Sequence, residues 1–236
     1  MVTKALADPA RIYAVGDVHG QAERLRALHG LIETDLRAHP SERALLIHVG
    51  DYIDRGPASA ACLSVLSEGD PIEGLETVNL MGNHERMLLD ALARPGEAQV
   101  WRRNGGDATL ASWGIAPDTP PELWRTMIPP AHLRFMEGLA LSHVAGRFLF
   151  VHAGVRPGIR LAMQDPHDLL WIRTSFLEWG GTMLPDAPGL VVVHGHTPGP
   201  EPDVRRNRIG VDTNAGAGGK LTCAVLAGDS VYFLQA

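Results

Sequence analysis

Short apolar runs alternate with amphipathic stretches along the first 95 residues, and glycine-rich turns separate them. Ile12 to Val15 reads as a strand that ends in a GDVHG turn. Leu25, Leu28, Ile32 and Leu36 follow at spacings of 3, 4 and 4, which is one face of a helix. Ala44 to Val49 predicts a second buried strand, followed by GDYIDRG and a helix through Ala60, Leu63 and Leu66. Thr77 to Leu80 predicts a third, followed by GNHE and a helix through Met87, Leu88 and Leu92. Strand, loop and helix in three rounds predict βαβ units with parallel strands. From Arg94 to Leu139 prolines and glycines cut the chain into short helices, which reads as a helical cap inserted over the sheet. Strand-like runs then return at Arg147 to Val151, Leu190 to Val193, Arg208 to Val211, Leu221 to Leu226 and Val231 to Leu234. With little helix between them, they predict a second, mixed or antiparallel sheet packed on the first. No stretch has the length of a linker, so residues 1–236 read as one α/β domain, with residues 94–139 as its cap.

Composition narrows the class. The 236 residues are 45% hydrophobic and 20% charged, which suits an ordinary globular chain. Lys and Arg number 21 against 27 Asp and Glu, and the net charge of −6 argues against a nucleic-acid binder. Cys62 and Cys223 lie far apart, with no metal-binding or redox spacing. No apolar run is long enough to span a membrane, and MVTKALADPARIYAVGD has no signal-peptide core. The expected location is cytoplasmic, with no membrane and no nucleic-acid partner. Eleven histidines are the unusual feature, and they point to where the chemistry lies.

In an open α/β sheet, ligands gather beyond the carboxyl ends of the strands. Those ends carry Asp17 and His19, then Asp51, Asp54 and Arg55, then Asn83 and His84, then His152, and finally His196. Singly, each has a bland reading. Asn83 with Glu85 can cap a helix, for example, and His152 can be a bonded strand-end histidine. Five such ends in order are hard to explain as separate coincidences. Carboxylate, imidazole and amide groups together suit divalent metals such as Mn²⁺, Fe or Zn²⁺.

Gly16 to Gly20 (GDVHG), Gly50 to Gly56 (GDYIDRG) and Gly82 to Glu85 (GNHE), with the later HAG and GHT, resemble the phosphoprotein phosphatase family of calcineurin-like metallophosphoesterases. The resemblance implies a four-layer αββα sandwich and a centre of two divalent ions, with Mn²⁺ expected. Carried over by motif, Asp17 and His19 would bind the first ion and Asp51 would bridge both. Asn83, His152 and His196 would hold the second. A hydroxide between the ions would attack phosphorus directly, with His84 as general acid, Asp54 orienting it, and Arg55 gripping phosphoryl oxygens with Asn83. Arg173, in LLWIR, matches a Trp-x-Arg element of bacterial members and is the second candidate arginine.

The short length and HAG in place of His-Gly-Gly point to the bacterial and phage-type branch. The leading expectation is therefore a serine/threonine protein phosphatase with a phosphoprotein or phosphopeptide substrate. The main alternative is a symmetrical dinucleoside tetraphosphate hydrolase. The intact GDYIDRG and GNHE weigh against that alternative, because its members resemble GDLVARG and GNHD. A non-catalytic phosphopeptide-binding scaffold is disfavoured because no ligand is lost. A diesterase is disfavoured by Pro198, which stands where Gly-His-x-His needs its second histidine. His194 is expected beside the centre without binding a metal, and His48 is expected to be a buried, hydrogen-bonded histidine. NAGAGGK lacks both the first glycine and the Ser/Thr of a P-loop and reads as structural turns. Asn104-Gly105-Gly106 is expected at the cleft mouth, with no chemistry of its own.

Overall fold

Tyr13 and Val15 alternate with Ile12 and Ala14 along the first strand, and all four are buried, so that strand needs a core on each face. The computed structural model describes residues 10–41 and 43–236 and supplies both cores. The segment 1–9, part of the stretch in which no signal peptide was read, lies outside the described residues. The strand β1 (Arg11–Val15) pairs in parallel with β2 (Ala44–His48), and β2 with β3 (Glu76–Asn79). The helices α1 (Ala22–Ala38), α2 (Ser59–Ser67) and α3 (Asn83–Ala93) follow the three strands in turn. Leu25, Leu28 and Ile32 of α1 pack with Tyr13, Val15 and Leu46, as the helical spacing predicts.

The inserted segment forms α4 (Ala98–Trp101), α5 (Asp107–Ser112), α6 (Pro121–Met127) and α7 (Pro130–Glu137). Proline at the first turn of α6 and α7 starts each helix where an N–H would go unpaired. These helices lie against α2 and α3.

The second sheet is built from β4 (Ser142–Ala145), β5 (Phe148–Val151), β6 (Val191–His194), β7 (Asp203–Val204) and β8 (Arg208–Gly210), in the spatial order β4-β5-β6-β8-β7. Strands β5, β6 and β8 run parallel, and the edge strands β4 and β7 are antiparallel. Two short helices, α8 (Pro166–Trp171) and α9 (Thr174–Leu177), contribute Leu169 and Phe176, and the link between them Ile172, to its outer core with Leu149, Val151 and Val192.

Two strands fall differently from the sequence expectation. The strands β9 (Thr222–Ala227) and β10 (Ser230–Gln235) do not join the second sheet. They complete the first, in the order β10-β9-β1-β2-β3, with β9 antiparallel to β1. Ala224 and Leu226 thereby join Ile12, Ala14 and Ile47 between the sheets, opposite Phe150, Val193 and Ile209. Truncating Phe150, which is fully buried there, to alanine would cost about 3–5 kcal/mol. The result is helix, sheet, sheet, helix: the four-layer sandwich with helical insertions. Among the described residues no helix is long and apolar enough to cross a membrane.

Candidate metal centre and active site

The carboxyl ends of β1, β2 and β3 meet those of β5 and β6, and the predicted residues leave the strands there. The backbone does so in a conformation that non-glycine residues rarely adopt. His19, Asp51, Asp54, Arg55 and His196 all have φ between 45° and 71°. Such backbone costs of order 1–3 kcal/mol per residue and clusters at functional sites. Gly195 is required next to His196, because a Cβ there would collide with the Asp17 carboxylate. His194 and His196 do not share a face as strand alternation would have it, since β6 ends at His194. The His194 ring packs on Phe176 with centroids 4.9 Å apart, and its Nδ1–H donates to the Gly195 carbonyl at 3.0 Å.

Two sets of donor atoms converge, each set lying within 4.8 Å: His19, Asp51 and His84, and Asp51, His152 and His196. Asp51 belongs to both through different oxygens. Its Oδ2 lies 3.5 Å from His19 Nε2, and its Oδ1 lies 3.4 Å from His152 Nε2. Asn83 Oδ1 lies 2.8 Å from His152 Nε2 and 2.9 Å from His196 Nδ1. The far nitrogens are committed elsewhere. His19 Nδ1 donates to the Ile53 carbonyl at 2.8 Å, and His152 Nδ1 to the Val49 carbonyl at 2.9 Å. Both imidazoles therefore aim an Nε2 lone pair inward, as metal-binding histidines do. This donor set fits a dinuclear divalent-metal site.

The electrostatics agree. Burial, then the charges of Asp212 and Asp51, holds Asp17 well above the usual carboxylate range. Burial and Glu85 do the same for Asp51. Burial pushes His152 down to about 3, and burial with His152 and Arg173 pushes His196 down to about 2. Buried carboxyls whose ionised form lacks compensation stand among imidazoles that stay neutral, and a cation would favour the ionised carboxylates there.

Asp17 enters neither donor set; both its oxygens accept the His196 N–H at 3.1 Å. His84 sits at the edge of the first set, with Nε2 3.9 Å from Asp51 Oδ2 and Nδ1 2.7 Å from Asp54 Oδ2. Burial, then Arg55, pushes His84 down to about 3, while burial pushes Asp54 up to about 7. Arg55 donates to His19 Nε2 at 2.8 Å and to His84 Nε2 at 3.0 Å, and Arg173 Nε donates to His196 Nε2 at 3.1 Å. Both arginines are exposed at the rim of an otherwise buried cluster.

Several contributors were not read from the sequence. Trp101 and Thr109 hold Asp54, and Asp212 faces Asp17 from just beyond β8. Asp212 did carry a signal, since a carboxylate directly after a strand run matches the pattern of Asp17. Trp171 sets its ring edge against His196, with centroids 6.0 Å apart. His48 is bonded on both sides, to His29 at 3.0 Å and to Asn79 at 2.8 Å, as expected of a buried histidine.

Comparison with known proteins separates two kinds of relative. Serine/threonine-protein phosphatase 1 of Salmonella typhimurium is 39% identical, but only over 100 residues, 41% of this chain and 39% of that protein. The chain thus spans about two fifths of that relative's length. The asymmetrical bis(5′-nucleosyl)-tetraphosphatase PrpE of Anoxybacillus flavithermus is 26% identical over 228 residues, 88% of this chain and 87% of that protein. A crystal structure provisionally named a diadenosine tetraphosphatase covers all of this chain and 97% of its own, with 21% identity and a TM-score of 0.66, which supports the fold.

The expected phosphoprotein or phosphopeptide substrate, read from the motifs, is overturned by these matches, because the protein phosphatase aligns over 41% of the chain and the tetraphosphatase over 88%. Glu85, the last residue of GNHE, has a structural task. Its carboxylate accepts the N–H groups of Gly82, Asp51, Tyr52 and Ile53 at 2.8–3.2 Å. It is fully buried and braces the GDYIDRG loop without facing a substrate. The last residue of GNHE therefore reports loop scaffolding and says nothing of the leaving group. The family model for calcineurin-like phosphoesterases matches residues 10–217, nearly the whole of the described fold with its donor cluster, and the chain belongs to that family.

Proposed function

We propose that the protein is a dinucleoside tetraphosphate hydrolase. The observation that carries the reading is the end-to-end similarity to PrpE tetraphosphatases, over 88% of this chain. The geometry supports it. Two exposed arginines at the rim of a buried donor cluster suit a polyanion whose reacting phosphate reaches inward and whose remaining phosphates stay in solvent.

His19, Asp51, Asn83, His152 and His196, with Asp17 beside them, would hold the ions. Bound there, divalent ions supply Lewis-acid charge and activate water. The chain does the rest. Arg55 and Arg173 leave their imidazole partners and pair with oxygens of the reacting phosphate, joined by Asn83. The departure of Arg55 removes a positive charge that now disfavours the His84 imidazolium, and the arriving anion favours it. His84, held through Nδ1 by Asp54, then offers a proton from Nε2 to the leaving oxygen. A nucleotide leaving group is already a stable anion, so this proton matters less than it would for an alkyl ester.

The test is turnover of diadenosine tetraphosphate by Mn²⁺-loaded enzyme, beside a phosphoserine peptide, with products separated by chromatography. Faster tetraphosphate turnover that is abolished by chelation is expected, with AMP and ATP as products. Two molecules of ADP would move the scissile bond to the centre of the chain. Failure to hydrolyse the tetraphosphate would overturn the proposal.

A further inference from the structure

We propose that the helical insertion belongs to the proton-transfer apparatus, with Trp101 and Thr109 as positioning residues that fix the tautomer and orientation of His84 through Asp54. The inference rests on the hydrolase reading above for its kinetic arm only.

The hydrogen bonds leave little choice. Trp101 Nε1–H, which can only donate, lies 2.8 Å from Asp54 Oδ2. The Thr109 hydroxyl accepts the Asp54 N–H at 2.8 Å and sends its single proton to Asp54 Oδ1 at 2.7 Å. Both carboxylate oxygens therefore already receive a donor from the insertion. With those donors on Asp54, the arrangement favours His84 Nδ1, at 2.7 Å from Oδ2, as the donor to the carboxylate, and Nε2 turns its lone pair to the cleft. Arg55 Nη2 also donates to that Nε2 at 3.0 Å, but this exposed arginine is shared with His19, so the hold on the tautomer is assigned to the Asp54 side.

The same segment also holds the backbone. Arg55 N–H donates to the Gly105 carbonyl at 3.2 Å, bracing the left-handed backbone at Asp54 and Arg55. Gly105 itself has φ 106°, and a Cβ there would lie 2.8 Å from Arg55 N. Asn104-Gly105-Gly106, assigned no chemistry from the sequence, thus shapes the loop that carries the acid's partner. Trp101 is locked in turn, fully buried and edge-on to Trp124 with centroids 5.5 Å apart.

The experiment compares zinc-loaded wild type with Trp101→Phe, Thr109→Val and Thr109→Ser, each carrying isotope-labelled histidine. His84 resonances are identified by their loss in His84→Asn. Wild type and Thr109→Ser should show His84 protonated at Nδ1 alone. Trp101→Phe and Thr109→Val should show mixed tautomers, with kcat on diadenosine tetraphosphate lowered about tenfold and KM held within about twofold, because the acid acts only in the transition state. Should Trp101→Phe fail to fold, the two Thr109 variants decide. A single Nδ1 tautomer retained in folded Thr109→Val overturns the inference, and so does an unchanged kcat. If the wild type does not cleave the tetraphosphate, the functional reading fails while the ring resonances still decide this one.

Discussion

Asp51 is the residue on which the centre turns, since it presents one oxygen to His19 and the other to His152. Asp51→Asn should reduce turnover to the chelated background and lower bound metal from two equivalents, as read by elemental analysis of dialysed protein. Two ions retained in that variant would refute the bridging assignment. His84→Asn should lower kcat on the tetraphosphate by about 10²-fold, the lower end of the range for a general acid, with metal content unchanged. A loss of metal instead would make His84 a ligand, a role its position beside Asp51 also permits. These residues were legible because each sits within a few positions of an apolar run, so strand and ligand are read together. Trp101 and Thr109 were not, because their partner Asp54 lies 47 and 55 positions away and nothing local marks the contact.

Between elements, the strongest tie is the one from α3 back to the loop after β2. Glu85 supplies its two carboxyl oxygens as acceptors to four backbone N–H groups, and leaving such buried donors unpaired costs roughly 1–3 kcal/mol each. Glu85→Gln should therefore destabilise the protein by about 2–3 kcal/mol, measured by denaturant unfolding, and weaken metal binding through the loop. A second tie joins α1 to β2 through His29 and His48. Arg26, Glu33, Glu68 and Asp70 line the shallow depression beside His29. Burial pushes His29 from 6.5 down to about 4 and lowers His48 as well. A histidine kept neutral by the fold contributes fully above its unfolded value, and that contribution falls away as pH drops toward the folded one. His29→Gln keeps a donor to His48 and removes one titrating ring, so its Tm should fall less steeply than that of wild type between pH 6.5 and 4. Equal slopes would count against the pair. At this scale the strands β1 to β3 and their helices were plain from periodicity. The strand β7, with two residues, and the helices α8 and α9 are too short to show a period.

Over the whole molecule, binding of ions and stability of the sandwich are one equilibrium. Asp17 and Asp51 are held well above their ordinary value of 3.8, chiefly by burial. A carboxyl raised in this way stabilises the fold below its unfolded value and loses that contribution as pH rises through the folded one. In chelated protein the share of stability that these two carboxyls contribute should therefore shrink as pH rises from about 4 toward neutrality, and the gain in Tm on adding metal should widen over the same range. A gap that stays constant with pH would show that these carboxyls are already compensated without ions. The allocation of β9 and β10 to the first sheet could not be read from the sequence. Both follow the second sheet directly, and only three-dimensional closure reveals that the open edge of β1 is theirs.

That closure bears on how the protein is made. The residues that deliver Asp17, Asp51 and His84 leave the ribosome early, yet β1 keeps an unpaired edge until residues 222–227 have been synthesised. The pairing of β1 with β9 is thus a contact of long sequence separation, of the kind that forms slowly in folding. A chain cut short before β9 should therefore bind metal poorly although every one of its ligands, from Asp17 to His196, had already been made, which elemental analysis of a chain ending at residue 221 would check.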